Sequence, residues 1–462
     1  MPTLDPKIRC GNFEEVNTGL TLEQATLEAR RCLQCKGRDC VAGCPVQVSI
    51  PEFLQALACG DLPRAARILL ADSSLPAVCG RVCPQEKQCE ARCVRSKRGE
   101  SVAIGHLERF VADWAMANPE PLEIGRTGVS VSGKVVVIGS GPAGLTVAGE
   151  LARRGHEVTI FEALHETGGV LRYGIPEFRL PNAIIDAEVA RLKELGVIIE
   201  CNVVVGRTLT LEQLRSQFDA VFISNGAGLP VMLNMPGENL KGVYSANEYL
   251  TRINLMGAGR DPQSPTPIIK GRQVAVIGAG NTAMDCVRTA RRLGAKRAMI
   301  VYRRSEAEMP ARLEEVEHAK EEGVEFVTLT QPLSIGGNSQ NWVNGLHCQV
   351  MELGEPDESG RLKPIPVPGI TIELQADLVI NALGTRPNPL LTATQPDLLL
   401  DSWGNIITDK NCLTSLPGVF AGGDIVRGGA TVILAMGDGK QAARAIDCYL
   451  ETLGQPSARA CA

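Results

Sequence analysis

Residues 32 to 45 read CLQCKGRDCVAGCP, four cysteines at spacings of two, four and three with a proline after the last. A second group, CGRVCPQEKQCEARC at residues 79 to 93, spaces its cysteines at three, five and three. Eight of the chain's 16 cysteines (Cys32, Cys35, Cys40, Cys44, Cys79, Cys83, Cys89 and Cys93) thus fall in two short runs. Thiolates at such intervals ligate zinc or iron-sulfur clusters. A zinc ribbon usually pairs two C-x2-C knuckles, and the second run offers none, so iron-sulfur clusters are the expected occupants and zinc the redox-inert alternative. In two-cluster ferredoxins the cysteine before the proline ligates the other cluster. That rule predicts that Cys44 serves a different site from Cys32, Cys35 and Cys40. On spacing alone, Cys79 would complete the set of eight. Cys10, Cys59, Cys201, Cys286, Cys348, Cys412, Cys448 and Cys461 have no ligand spacing and read as core or surface thiols.

Two longer stretches carry chemistry of another kind. KVVVIGSGPAGLTVAGELARRGHEVTIFE (134 to 162) and QVAVIGAGNTAMDCVRTARRLGAKRAMIVYRR (273 to 304) each read as strand, glycine turn, helix and strand. In the first, Gly139, Gly141 and Gly144 fit G-x-G-x-x-G: a tight turn, close backbone approach to a pyrophosphate, and close helix packing. The helix N-terminus adds N–H groups and the positive end of its dipole. Glu162 closes the second strand, where an acid can accept from a ribose 2′-OH. In the second unit Ala283 stands at the third glycine and Arg303 and Arg304 stand where the acid would be. Two arginines there favour the 2′-phosphate of NADP by charge and bidentate hydrogen bonding. The plainer reading is a solvated basic strand end.

The thiol runs need short spacers and the glycine turns need sheets. Thr21-Leu-Glu-Gln24 and Ser49-Ile-Pro-Glu52 are capping-box patterns that open helices between the cysteine loops, with Gly60 stopping the second. NPEPLEIGRTGVSVSGK (118 to 134) reads as a linker, after which the pattern changes to strand and helix. GAGRDPQSPTP (257 to 267) and EPDESGRLKPIPVPG (355 to 369) read as loops. The expected fold is α/β: a helical N-terminal iron-sulfur domain, then two Rossmann-like dinucleotide-binding domains.

Near the C-terminus, VFAGGDIVRGGATVILAMGDGKQAA offers a strand ending in Gly423-Asp424, then a helix. With it the chain resembles the two-dinucleotide-domain flavoprotein reductases, in which a C-terminal G-D closes the FAD site begun by the first glycine turn. That resemblance implies FAD in the first unit and an NADP domain inserted into the FAD domain. The implied boundaries are 1–125 for the iron-sulfur domain, 130–230 with 385–462 for FAD, and 231–384 for NADP. CGRVCPQEKQCEARC, IGHLERF, GGVLRYGIPEFRLP and AGNTAMDCVR further resemble the small subunit of bacterial glutamate synthase. They also resemble the large subunit of NADH-dependent reduced ferredoxin:NADP oxidoreductase and the N-terminal part of dihydropyrimidine dehydrogenase.

This resemblance implies two 4Fe-4S clusters with exchanged ligands. Cys32, Cys35, Cys40 and Cys93 would hold the cluster nearer a partner. Cys44, Cys83, Cys89 and Glu108 would hold the one nearer the flavin, leaving Cys79 a bystander. Along the flavin it implies Gly139, Ser140, Gly141, Pro142, Ala143, Gly144, Glu162, Gly168, Gly169 and Arg179, with Gly423, Asp424 and Thr431 on the other side. Around NADP it implies Gly278, Ala279, Gly280, Asn281, Thr282, Ala283, Arg303 and Arg304.

Composition bounds the rest. The 462-residue chain carries a formal charge of -5 and no Lys/Arg run interleaved with aromatics, so nucleic acid is not an expected partner. No stretch reaches about 18 apolar residues and the N-terminus has no apolar leader, so no membrane span and a cytoplasmic setting are expected. The parts define an oxidoreductase in which NADPH gives two electrons, flavin converts, and clusters take one at a time. No catalytic acid, base or nucleophile is expected. The leading expectation is a glutamate synthase small-subunit-like member of a hetero-oligomer, passing electrons to a second subunit. The alternatives are the large subunit of a transhydrogenase that bifurcates electrons, sulfide dehydrogenase-like assemblies beside it, and a zinc-bearing scaffold without activity.

Overall fold

The computed structural model describes residues 1–118, 132–358 and 360–454. The 118 to 134 linker therefore lies mostly outside the described residues, as does Cys461. From residue 1 to 118 the chain is helical, with helices Leu22–Ala29, Ile50–Ala58, Leu62–Asp72, Pro76–Val82 and Ile104–Ala117 packed around the cysteine loops. The Thr21 box is present: its hydroxyl accepts from Gln24 N–H and the Gln24 side chain accepts from Thr21 N–H. The Ser49 box is not. Ser49 N–H donates to Asp72 Oδ2 at 2.7 Å, and Glu52 pairs with Arg38, so the tertiary partners displace the local cap. Gly60, at φ +78°, ends this helix. Phe53, Leu57, Leu69 and Leu107 are fully buried, and the same apolar cluster runs on through Leu145, Phe222 and Met436. The helical region and the first nucleotide unit therefore share one core.

Among the described residues the strands are β1 (Lys134–Ile138), β2 (Glu157–Phe161), β3 (Ile198–Glu200), β4 (Ala220–Ile223), β5 (Leu229–Pro230), β6 (Val243–Ser245), β7 (Gln273–Ile277), β8 (Arg297–Val301), β9 (Glu325–Val327), β10 (Thr330–Gly337), β11 (Val343–Pro356), β12 (Leu362–Leu374), β13 (Leu378–Asn381), β14 (Thr385–Arg386) and β15 (Val419–Ala421). Two five-stranded parallel sheets result, in the orders β15-β4-β1-β2-β3 and β6-β13-β7-β8-β9. Near-continuous apolar strands such as VVVI and VAVI suit sheets covered on both faces. The chain leaves the first sheet through β5 and returns through β14, and these two crossings pair with each other antiparallel.

Residues 257 to 267 form turns and irregular backbone. Residues 355 to 358 and 360 to 369, expected as part of a loop, instead belong to the turn and outer limb of a long antiparallel hairpin, in which Pro364 and Pro366 face Leu353 and Met351. β12 is the edge of the sheet β10-β11-β12. A proline there lacks an N–H only where no neighbour would receive it, which is why prolines that argue for a loop are tolerated in this strand. No helix among the described residues is long and apolar enough to cross a membrane.

Candidate functional site

Both glycine turns open on one cavity of about 780 Å³. Gly139 has φ +100°, and a Cβ there would lie 2.6 Å from Ser224 O. A Cβ on Gly144 would lie 2.0 Å from Gly139 O, so helix Pro142–Arg153 can seat against the turn only with glycine at this position. Gly141, by contrast, faces open space within the cavity lining, the approach a pyrophosphate needs. Pro142 and Ala143 line the cavity beside it. Glu162 is buried and fixed: Ser140 N–H and Oγ donate to one carboxylate oxygen at 2.8 and 2.5 Å, and Leu164 N–H donates to the other at 2.9 Å. Ser140 Oγ also accepts from Gly168 N–H at 3.0 Å. Gly169, at φ +54°, passes so close that a Cβ would sit 3.0 Å from Gly141 Cα.

The C-terminal wall is built by Gly423, Asp424 and Thr431, the last standing at the start of helix Val432–Gly454. Asp424 accepts from Ala430 N–H, and burial pushes its carboxyl up to about 6. Two residues not singled out from sequence also line the cavity. Asn225 has a buried Oδ1 with no partner, and burial raises the Tyr173 phenol to about 12. Asn225 follows β4, at the carboxyl end of a parallel strand, where ligands of open α/β sheets bind. The SNGAG turn was the signal for it.

On the second unit Gly278 has φ +123°, its Cβ position 2.6 Å from Ala382 O, while Gly280 is nearly open. Asn281 and Thr282 line the cavity, and Ala279 and Ala283 are buried behind them. Asn281 Oδ1 accepts from Arg312 N–H. The arginine pair divides. Arg303 is exposed, whereas Arg304 is buried, donating to Leu362 O at 2.8 Å and pairing with Asp357 of the β11–β12 turn.

Arg179 reaches the cavity with its guanidinium committed. Its NH1 donates to both Asp285 oxygens at 2.7 and 2.8 Å, and its Nε lies 2.9 Å from Glu315. A buried charge network continues through Arg288, Glu322, Arg292 and Arg9, with Phe178 stacked against Arg288 and Arg292. Against the pull of burial, Arg179 and Arg288 hold Glu315 down to about 2, and Arg288 and Arg292 do the same for Glu322. The network joins the GIPEFR segment of the first unit to the helices of the second.

The thiols separate into two sets. Cys32, Cys35, Cys40 and Cys93 line one cavity, all only partly buried. Cys44, Cys83, Cys89 and Glu108 are electrostatic neighbours of one another, with Cys83 and Cys89 buried. Cys44 therefore sits apart from the other three cysteines of its own run. Cys79 is buried, is likewise an electrostatic neighbour of Cys44, Cys83 and Glu108, and lies 3.4 Å from Met436 Sδ. Burial raises the Cys40 and Cys44 thiols to about 11, and burial with Glu188 and Glu90 lifts the Glu108 carboxyl to about 8. Glu108 makes no hydrogen bond or ion pair among the described residues. Thiolate and carboxylate are the ligating forms, so a metal cluster bound here would displace the protons that burial holds on these groups. No three such side chains among the described residues converge as they would on one ion, and the outer thiols ring a cavity instead.

The inner set also abuts the nucleotide cavity. Val82, next to Cys83, lines it. In helix Val432–Gly454, Cβ atoms on Gly437 and Gly439 would lie 3.2 Å from Pro45 and 2.6 Å from Ala143 O. The two glycines of MGDGK wedge the helix between the loop of Cys44 and the first glycine turn.

Residues 9–120 match the family described as dihydropyrimidine dehydrogenase domain II, 4Fe-4S cluster, and residues 133–439 match pyridine nucleotide-disulphide oxidoreductase. The glutamate synthase (NADPH) small chain of Escherichia coli is 38% identical over 96% of this chain and 95% of its own. The chain belongs to the glutamate synthase small-chain family. Like other members it is an NAD(P)H-dependent flavin oxidoreductase with 4Fe-4S chemistry, and the zinc alternative falls with the N-terminal match. A relative of different printed name, the NADP(+)-dependent formate dehydrogenase subunit beta of Moorella thermoacetica, is 39% identical over 89% of this chain, which spans 60% of that protein. Among solved structures, Mycobacterium tuberculosis FprA in complex with NADPH superposes with a TM-score of 0.58 at 22% identity, covering 70% of this chain and 85% of that one. That likeness is one of fold.

Proposed function

We propose that this small-chain family member is the NADPH-oxidising subunit of a cytoplasmic hetero-oligomer, passing electrons between NADP(H), FAD and two 4Fe-4S clusters to a second subunit. The observation that carries this reading is the order of the sites. Partly exposed outer thiols, an inner set in which Cys83 and Cys89 are buried, and a cavity shared by both glycine turns follow one another. When bound, FAD supplies the exchange between a hydride and the single electrons that iron-sulfur clusters take.

The chain's own residues bind, orient and tune. Gly141 leaves room for the flavin diphosphate at the start of helix Pro142–Arg153, and Glu162, held by Ser140 and Leu164, accepts from the ribose. Gly168 and Gly169 bring backbone along the flavin opposite Asp424 and Thr431. Ala279, Gly280, Asn281 and Thr282 cradle the NADP diphosphate. Arg303 meets the 2′-phosphate while Arg304 braces the hairpin beside it. Cys32, Cys35, Cys40 and Cys93 hold the outer cluster, and Cys44, Cys83, Cys89 and Glu108 the inner one. None of these residues is asked to act as nucleophile or general acid.

Arg303→Ala is the direct check on the nucleotide assignment. We expect the KM for NADPH to rise about tenfold, equivalent to about 1.4 kcal/mol, with NADH oxidation unchanged. Equal loss with both nucleotides would sink it. The partner is read by anaerobic purification of the chain from its native cell and mass spectrometry of what accompanies it in near-equal amount. A large synthase-like subunit is the expected companion. A small flavin and 2Fe-2S companion would make this the transhydrogenase type.

A further inference from the structure

The surface over the outer thiols differs in charge from the rest of the chain. Segments 32–40 and 92–98 together hold six cations, Lys36, Arg38, Arg92, Arg95, Lys97 and Arg98, and one acid, Asp39, in a protein whose net charge is -5. Glu52 neutralises Arg38 at 2.6 Å. Lys36, Arg92, Lys97 and Arg98 are exposed and have no acidic partner among the described residues. The second segment is held in place: Cys93 opens a short 3-10 helix, Val94–Arg98, so the cations stand directly beside a thiol of the outer set. Leu33 and Val94, 58% and 36% exposed, line the cavity with the four cysteines, as do Arg92, Arg95 and Asp39.

We infer that this face docks an electron-transfer protein or domain whose own contact surface is acidic around an apolar centre. The inference rests on the functional reading above and specifies the partner surface it requires. An apolar centre within a charged rim is the usual anatomy of a specific interface. Opposite charge across it speeds encounter and sets orientation at moderate ionic strength. Neither segment carries an aromatic side chain for stacking bases, which favours a protein over a single-stranded nucleic acid.

The test uses the cofactor-loaded full chain and two small carriers of opposite surface charge, an acidic plant-type ferredoxin and a basic cytochrome c. Binding is measured calorimetrically as NaCl rises from about 0.05 to about 0.5 M, across which the screening length falls severalfold. Ferredoxin should bind and weaken at least tenfold over that range (~1.4 kcal/mol), and cytochrome c should not bind. The triple variant Lys36→Glu, Lys97→Glu, Arg98→Glu should weaken ferredoxin binding by a similar factor. NADPH-driven reduction of menadione, an uncharged acceptor, should be the same in the variant, which shows that the variant is folded. Ferredoxin binding indifferent to the charge reversal, or cytochrome c binding as tightly, would overturn the inference. So would tighter binding of heparin, a polyanion without a redox centre. Absence of menadione reduction by the unmodified chain would sink the functional reading alone, because docking is read by binding.

Discussion

Cys32, Cys35, Cys40 and Cys93 line a cavity together with the exposed Leu33 and Val94, whereas Cys83 and Cys89 are buried in the core that also holds Phe53, Leu107 and Phe222. The outer set is all thiol, in a cavity that Arg92 and Arg95 also line. The inner set, with Cys44, includes a buried carboxyl and leans on the helix that closes the nucleotide cavity. Similar donors thus stand in two dielectric settings. Burial, net ligand charge and hydrogen bonding are the levers that set a cluster's potential, so the proposed function assigns the two sets different tasks, one to meet a partner and one to meet the flavin.

The largest expected effect separates them by stability. Cys89→Ala and Cys35→Ala should each remove about half of the iron and acid-labile sulfide and stop NADPH-driven ferredoxin reduction. Only Cys89→Ala, which empties a position in the shared core, should also lower the melting temperature, by about 1 °C for each ~1 kcal/mol of lost packing in a chain of this size. Scanning calorimetry beside an iron assay reads both. Equal melting points would break the comparison.

Next in size is the charge network that fixes the second nucleotide unit against the first. Glu322→Gln leaves Arg9, Arg288 and Arg292 facing a neutral group in the interior and should cost roughly 3–5 kcal/mol at neutral pH, with both thiol sets still loaded. The carboxyl is held below its ordinary value, so its contribution is present above about pH 4.5 and is lost as pH falls towards about 2. The gap between parent and variant in denaturant titrations should therefore close over that window. A gap that widened in acid would contradict the assignment.

A smaller effect sharpens the inner set itself. Glu108→Gln removes one negative ligand charge and should raise the potential of one cluster by about 60 mV, a factor of about ten in a one-electron equilibrium, leaving the other unmoved in a spectroscopic redox titration. The smallest change is expected at Cys79. Cys79→Ala should retain all iron and sulfide and cost about 1 kcal/mol of core packing. Loss of half the iron would instead make Cys79 a ligand.

Local signals were the readable part of this molecule. Both glycine turns, the Thr21 cap and the alternation of strand and helix depend on residues a few positions apart, and the structure has them. The separation of Cys44 from Cys32, Cys35 and Cys40 was foreshadowed by the proline that follows it, while Glu108 came only through resemblance, since a glutamate on a helix has no ligand spacing. What sequence concealed depends on distant partners. Ser49 loses its cap to Asp72, 23 residues on. Arg304 is drawn to Asp357 and Leu362 by a hairpin that its prolines disguised as a loop. Arg179 finds Asp285, 106 residues on, only where the GIPEFR segment packs against helix Asn281–Arg292.

The exchanged arrangement proposed above has Cys44 leave its neighbours and join the inner set. Low-temperature EPR of the reduced protein, with iron and sulfide counted on the same samples, compares Cys44→Ala with Cys83→Ala and Cys40→Ala. The parent should carry about eight irons, as two cubane clusters require. Cys44→Ala should lose the signal that Cys83→Ala loses and keep the one that Cys40→Ala loses. The opposite match, Cys44 grouped with Cys40, would contradict the exchanged arrangement and the order of sites built on it.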